Sequence, residues 1–460
     1  MRIFSLLIVI LLLCGLHASA QYDTRIKHIP KHKPTDSADY DDGDDDMDDE
    51  MDMSDQHRKM RSMPAALSLY QPMNRNGSGT SWLPDATPMY GYLQHYKEWM
   101  FLFHGDVFIR YNKQDLMNAG SRGGTKFDAP DMLMGMVQRK IGEKGLLHFN
   151  VMLSTDAIIA GGEGYPLLFQ TGETWQGRPL VNRQHPHDLF SELSVSYAYA
   201  ISDRADAYMY IGYPGEPALG PVTFMHRTSG MFGPDAPIGH HWQDATHITL
   251  GVATLGIRYG KFKLEGSSFT GREPDEHRYG FDKPLFNSFS GRVSYNPNNN
   301  WALQVSSGYI KSPEALTPHK DIFRNTASAT CVYPMSRNKY FTASAVFGQN
   351  MFASQNPSNS ALLEASLRVK KLAIYTRYEF VQKTGEDLNL PAIAYRLDKQ
   401  FPIHALTVGG SYDLYHFKGI TMAAGGQFAA YKADAALNGL YGKMPVSGEL
   451  FLHFYPKLMN

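Results

Sequence analysis

The strongest constraint in this chain is a period of two that recurs in runs of about ten residues. In Trp99–Tyr111 one face carries Trp99, Phe101, Phe103, Gly105, Val107, Ile109 and Tyr111, and the other carries Met100, Leu102, His104, Asp106, Phe108 and Arg110. In 361–370, Leu363, Ala365, Leu367 and Val369 alternate with Leu362, Glu364, Ser366 and Arg368. Runs 189–201 and 372–380 behave alike. Alternation is the signature of strands. One face is apolar, often with aromatics near the ends, and the other is richer in small, polar or charged residues. That combination is expected of an all-β, transmembrane antiparallel barrel with lipid outside and a polar lumen. It also accounts for a mean hydropathy of −0.34 in a membrane protein.

Connection lengths separate this reading from a soluble sandwich, which also alternates. Sixteen strands are expected, near 98–111, 131–141, 145–155, 189–201, 205–213, 247–259, 261–270, 287–296, 300–310, 323–333, 339–350, 361–370, 372–382, 403–416, 420–432 and 446–455. Short joins such as Ser202-Asp203-Arg204 and Gly260 alternate with long ones such as 156–188 and 214–246. Membrane barrels alternate short turns and long loops in this way. The segment 392–400 is assigned to a loop, which keeps the strand number even. The last strand ends in Phe454-Tyr455, like the signal that barrel assembly machinery reads, although five residues follow it.

Upstream of the barrel, expected to run over 97–456, the composition shifts twice. Residues 1–20 hold Arg2, an apolar run and Ala18-Ser19-Ala20, which is the pattern of a secretory signal peptide. Residues 21–63 are expected to be a disordered periplasmic tail. Within it, residues 36–55 contain 12 Asp or Glu and no Lys or Arg, interleaved with Met47, Met51 and Met53 and followed by His57, Met60 and Met63. Thioethers and carboxylates in such a tail can capture soft cations, although the plainer reading is a solvated linker. Residues 64–96 read as an irregular lead-in. Two cysteines exclude a disulfide scaffold or a cysteine metal site. The absence of a Lys/Arg block excludes nucleic-acid binding.

Histidine is concentrated in the long loops. Arg183-Gln184-His185-Pro186-His187-Asp188, then Gly239-His240-His241-Trp242-Gln243-Asp244 with His247, then Glu273, Asp275, His277 and Arg278 lie in successive loops of one rim. Candidate metal ligands are His185, His187, His240, His241, Asp244 and His247, a donor set that suits Zn, Cu, Ni or Fe, with Cu or Zn the expected ion. Arg183, Asp188, Arg227, Glu273, Asp275 and Arg278 are the candidate lining of a channel. The same groups can equally satisfy one another as a structural network without metal. Enzyme motifs are absent: Ala160–Gly164 lacks the P-loop lysine, and neither G-x-S-x-G nor H-E-x-x-H occurs.

The loop blocks Gly172–Thr174, Arg183–Leu189, Gly215–Pro221, Gly239–Asp244 and Gly271–His277, with Ser78–Pro84, resemble those of an uncharacterised family of bacterial, porin-like outer-membrane barrels. The resemblance covers roughly 76–456. It implies a Gram-negative outer-membrane location and a loose association with metal resistance, and it brings no activity. Two functions follow as expectations. One is porin-like passage of small solutes, with the two longest loops folded inward as a constriction. The other is binding or export of Cu or Zn. Porins of this size are often trimers, but no interface is readable in this sequence.

Overall fold

The computed structural model describes residues 63–353 and 356–459. The expected signal peptide and the acidic segment up to residue 62 lie outside it. Sixteen long strands close into an antiparallel barrel. They are β1 Trp99–Gln114, β2 Asp131–Ile141, β3 Gly145–Leu153, β4 Phe190–Ser202, β5 Ala205–Gly212, β6 Val252–Tyr259, β7 Phe262–Phe269 and β8 Ser288–Asn298. The second half comprises β9 Trp301–Ile310, β10 Ile322–Ser336, β11 Lys339–Met351, β12 Ser358–Val369, β13 Leu372–Thr384, β14 Gln400–Phe417, β15 Ile420–Lys432 and β16 Val446–Pro456. Closure comes from β16 against β1, with Gly448 opposite Lys113 and Phe454 opposite Val107.

The alternation read from the sequence becomes an inside and an outside. Along β6, Leu255 is 71% exposed and Ile257 and Tyr259 point the same way, while Thr254 and Arg258 are buried. A soluble protein would show the reverse. Exposed apolar and buried polar faces on one strand are those of a wall between hydrocarbon and a filled lumen. The turns at one end have two or three residues, and Gly260 supplies the positive φ (57°) that the turn between β6 and β7 needs. Those at the other end run from 6 to 39 residues.

Three segments differ from a plain barrel. Residues 92–96 of the lead-in form a short strand beside Trp99–Phe103 of β1. Gly124–Asp128 pairs with the upper part of β1. The long loop after β3 carries an antiparallel hairpin, Tyr165–Trp175 with Arg178–Gln184. The lead-in also enters the barrel. The Thr80 carbonyl accepts from Lys263 and its hydroxyl from Arg292 at 2.8 Å, while Ser68 donates to Asp206 at 2.6 Å.

Candidate metal centre

The loop between β5 and β6, residues 213–251, is nearly all buried and crosses the lumen. Its helical pieces are only three or four residues long: Phe224–His226, His240–Gln243 and Ala245–His247. Such a segment cannot satisfy its own backbone, so the wall does it. The Ile238 N–H donates to Glu379 at 2.6 Å, and Trp242 Nε1 donates to Ser358 at 2.8 Å. Buried charges are matched as well. Asp235 accepts from Arg110 at 2.6 Å, and Arg227 bridges Glu364 (2.7 Å) and Asp244 (2.8 Å). Leu168 and Phe169 of the hairpin pack with Trp242, Tyr431 and Tyr441 in one apolar cluster. These loops therefore form a plug.

At the heart of the plug stand five histidines from two loops. His185 and His187 follow the hairpin, and His240, His241 and His247 come from the β5–β6 loop. Their rings close a circle. Centroid distances are 5.1 Å for His240–His247, 5.2 Å for His240–His241, 5.5 Å for His187–His247, 5.8 Å for His185–His241 and 6.1 Å for His185–His187. Ligand-capable nitrogens of His185, His240 and His241 all lie within 4.8 Å of one another.

Every Nδ1 in the circle faces an acceptor. His187 meets Asp156 at 2.7 Å, His240 meets Asp244 at 2.6 Å, and His247 meets the Asp244 carbonyl at 3.0 Å. His185 lies 3.1 Å from Glu173, and His241 lies 3.4 Å from Glu273. Carboxylates and carbonyls only accept, so the proton belongs on Nδ1 and the lone pair on Nε2. All five Nε2 atoms are buried without a hydrogen-bond partner. A buried polar atom left unsatisfied costs about 1–3 kcal/mol. Five such atoms in one place are a recurring, directed expense, whereas a ligand would use all of them.

Burial lowers the pKa of His185, with Arg278 adding to it, and of His240 and His247. It opposes but does not overcome Asp156 at His187 and Glu273 at His241, which are raised. Asp244 is held well below the usual carboxylate range. Burial would raise it, but His240 and Arg227 prevail. Beyond His241 lies a cavity of about 230 Å³ lined by Glu273, Glu314, Lys320, Glu386 and Asp387. Burial, with Asp387 nearby, pushes Glu314 up to about 7.

The expected site residues divide by position. The five histidines converge. Asp244 stands behind His240, with both carboxylate oxygens occupied by His240, Arg227 and the Phe224 N–H. Glu273 and Arg278 flank the circle, and Arg278 pairs with Glu173 and sits 3.8 Å from Asp188. Arg227 is 1% exposed within the plug. Arg183 holds the Glu163 and Gly164 carbonyls, and Asp275 is exposed among the outer loops. Sequence reasoning missed Asp156 and Glu173. Asp156 is a lone carboxylate without motif context, Glu173 stands in the Gly172–Thr174 block with no partner marked there, and only the folded loops place them against His187 and His185.

No family model and no curated protein matches this chain. Solved structures similar to it include an anion-selective porin from Comamonas acidovorans, at 13% identity and TM-score 0.46, covering 78% of this chain and 99% of that one. OmpF of Salmonella typhi in complex with daunomycin has 9% identity and TM-score 0.48, over 79% of this chain and all of its own. OprB of Pseudomonas putida has 10% identity and TM-score 0.46, over 77% and 94% respectively. Identities this low carry no function across.

Proposed function

We propose that this chain is a porin-like barrel of a bacterial outer membrane whose cargo is a transition-metal ion, Zn(II) or Cu(II), held on the histidine centre of its plug. The observation that carries the proposal is the set of five buried Nε2 atoms without partners, on rings whose Nδ1 atoms are all held by acceptors. Imidazoles oriented by a carboxylate or carbonyl behind them are the usual build of a histidine metal site. His185, His240 and His241 supply the first three donors, and His187 and His247 complete the circle. Asp244 acts behind His240 as a positioning residue. Bonds of about 2.0–2.1 Å to a metal bring donor nitrogens to roughly 3.4 Å apart, so the rings draw inward on binding. The carboxylate-lined cavity beside His241 offers a cation a polar route to the centre.

The test is metal analysis of detergent-purified protein after exposure to Zn(II) or Cu(II). About one ion per chain is expected, and it is lost in a His185→Ala, His240→Ala double variant that still folds. Equal metal in the variant and the parent refutes the assignment.

A second reading, passive movement of small solutes, draws on the width that sixteen strands give a barrel. It makes the histidine circle a structural network and requires conductance in planar bilayers.

A further inference from the structure

The lumen holds a second cavity, of about 140 Å³, with seven methionines in its wall beside His104, His226 and Asp106. Met132 and Met134 project from successive inward positions of β2, where other strands present Thr, Arg or Glu. Met225 and Met231 come from the plug, and Met73 and Met89 from the lead-in. His104 of β1 and His226 of the plug face each other there, with ring centroids 5.9 Å apart. Among the described residues neither ring takes a hydrogen bond.

Methionine is the common filler of irregular cores, and packing is the alternative to be beaten. Three observations go against it. Met132, Met134, Met136 and Met225 pack against one another along one wall, but the space they border far exceeds the 10–15 Å³ or so that one water needs. Two unbonded imidazoles join them. The methionines also reach the cavity from three separate segments. Met63, the last methionine of the acidic Met/His segment, packs against the same cluster as Met73 and Met89.

We propose that this cavity is a binding site for a soft monovalent cation, Cu(I) or Ag(I), held by thioether sulfurs with His104 or His226. Uncharged thioethers select such ions over Zn(II) or Ca(II), which prefer nitrogen or oxygen donors. The site stands apart from the histidine centre. A smaller cavity, of about 50 Å³, touches both Met132 and Met225 on one side and His187 on the other. Phe224 lies between the two sites, stacked 6.2 Å from His187. The notion that one ion visits both sites rests on the function proposed above; the thioether site does not.

The experiment titrates Ag(I) into the full chain in detergent by calorimetry. In parallel, Cu(I) under reductant is examined for sulfur ligation by X-ray absorption. The comparison is a Met132→Leu, Met134→Leu, Met225→Leu triple variant, which nearly conserves volume and is checked for fold by circular dichroism. The parent should bind one more equivalent of Ag(I) than the variant, and Cu–S scattering should fall in the variant. Methionines of the tail contribute equally to both proteins and cancel. A His185→Ala, His240→Ala variant should keep the Ag(I) equivalent even if it binds no Zn(II). Identical Ag(I) titrations and Cu–S signals for parent and triple variant overturn the proposal and leave the methionines as packing.

Discussion

Asp244→Asn tests the histidine centre without touching a proposed ligand. In the parent, Asp244 Oδ2 accepts from the Phe224 N–H at 3.0 Å and from Arg227 at 2.8 Å, and Oδ1 accepts from His240 Nδ1 at 2.6 Å. Asparagine has one carbonyl oxygen. The Phe224 N–H and the Arg227 guanidinium can only donate, so the oxygen goes to them and the amide NH₂ turns toward His240. His240 Nδ1 must then accept, which moves the ring proton to Nε2 and removes the lone pair a metal needs. Loss of such a supporting contact typically lowers metal affinity 10–100-fold, or about 1.4–2.7 kcal/mol. Arg227 keeps Glu364 at 2.7 Å and the Val222 carbonyl at 3.1 Å, so the fold should survive. The assay is Zn(II) competition against a chromophoric chelator, with circular dichroism as the fold check. A folded Asp244→Asn protein with the parent's affinity would refute the tautomer argument.

Three further outcomes follow from the same geometry. Gly172 has φ +117°, and a Cβ there would lie 2.3 Å from His241 Nε2, so Gly172→Ala should displace that ring and reduce bound metal per chain while the barrel still folds. Burial, partly offset by Arg292, pushes Glu216 up to about 8 from the ordinary 4.5. The folded chain therefore keeps a proton that the unfolded chain releases; this contribution is greatest below pH 4.5 and is lost as pH rises toward 8. Glu216→Gln should flatten that decline in heat-modifiability on gels between pH 5 and 8. Asp235→Ala removes the bonds that tie the plug to Arg110 and Gln427, at 2.6 and 2.7 Å, and should raise bilayer conductance above the parent's; an unchanged trace would mean the plug is held elsewhere.

The wall was legible because period two, together with alternating short and long connections, sets a membrane barrel apart from a soluble sandwich. Leu255, Ile257 and Tyr259 share one face of β6, and a one-residue slip would put Arg258 in lipid. Short turns at one end also fixed strand parity. The filling of the lumen was not legible. Nothing in Ser68 or Thr80 marks the lead-in as interior, since polar side chains look alike in a surface loop and in a polar lumen. The histidine loops could be suspected of meeting, because three long loops share a rim. The acceptors behind His185 and His187 could not be read, because Glu173 and Asp156 find their partners only through a hairpin whose turn-back is irregular. The methionine cavity was hidden for a related reason: its sulfurs are spread from Met73 to Met231 and converge only across the barrel.

The seam at β1 has a consequence for how the molecule is held together. One flank of β1 is shared: β16 covers Val107–Lys113, and the lead-in strand covers Trp99–Phe103. Residues beyond β16 fasten the lead-in in turn, with the Met459 N–H on the Met89 carbonyl and the Gly91 N–H on Lys457. Residues 457–459 thus latch a segment that precedes the first long strand. Removing residues 457–459 should unfasten the filling. The seam of the wall and the hold on its filling are therefore one continuous set of bonds, so a change that loosens one loosens the other.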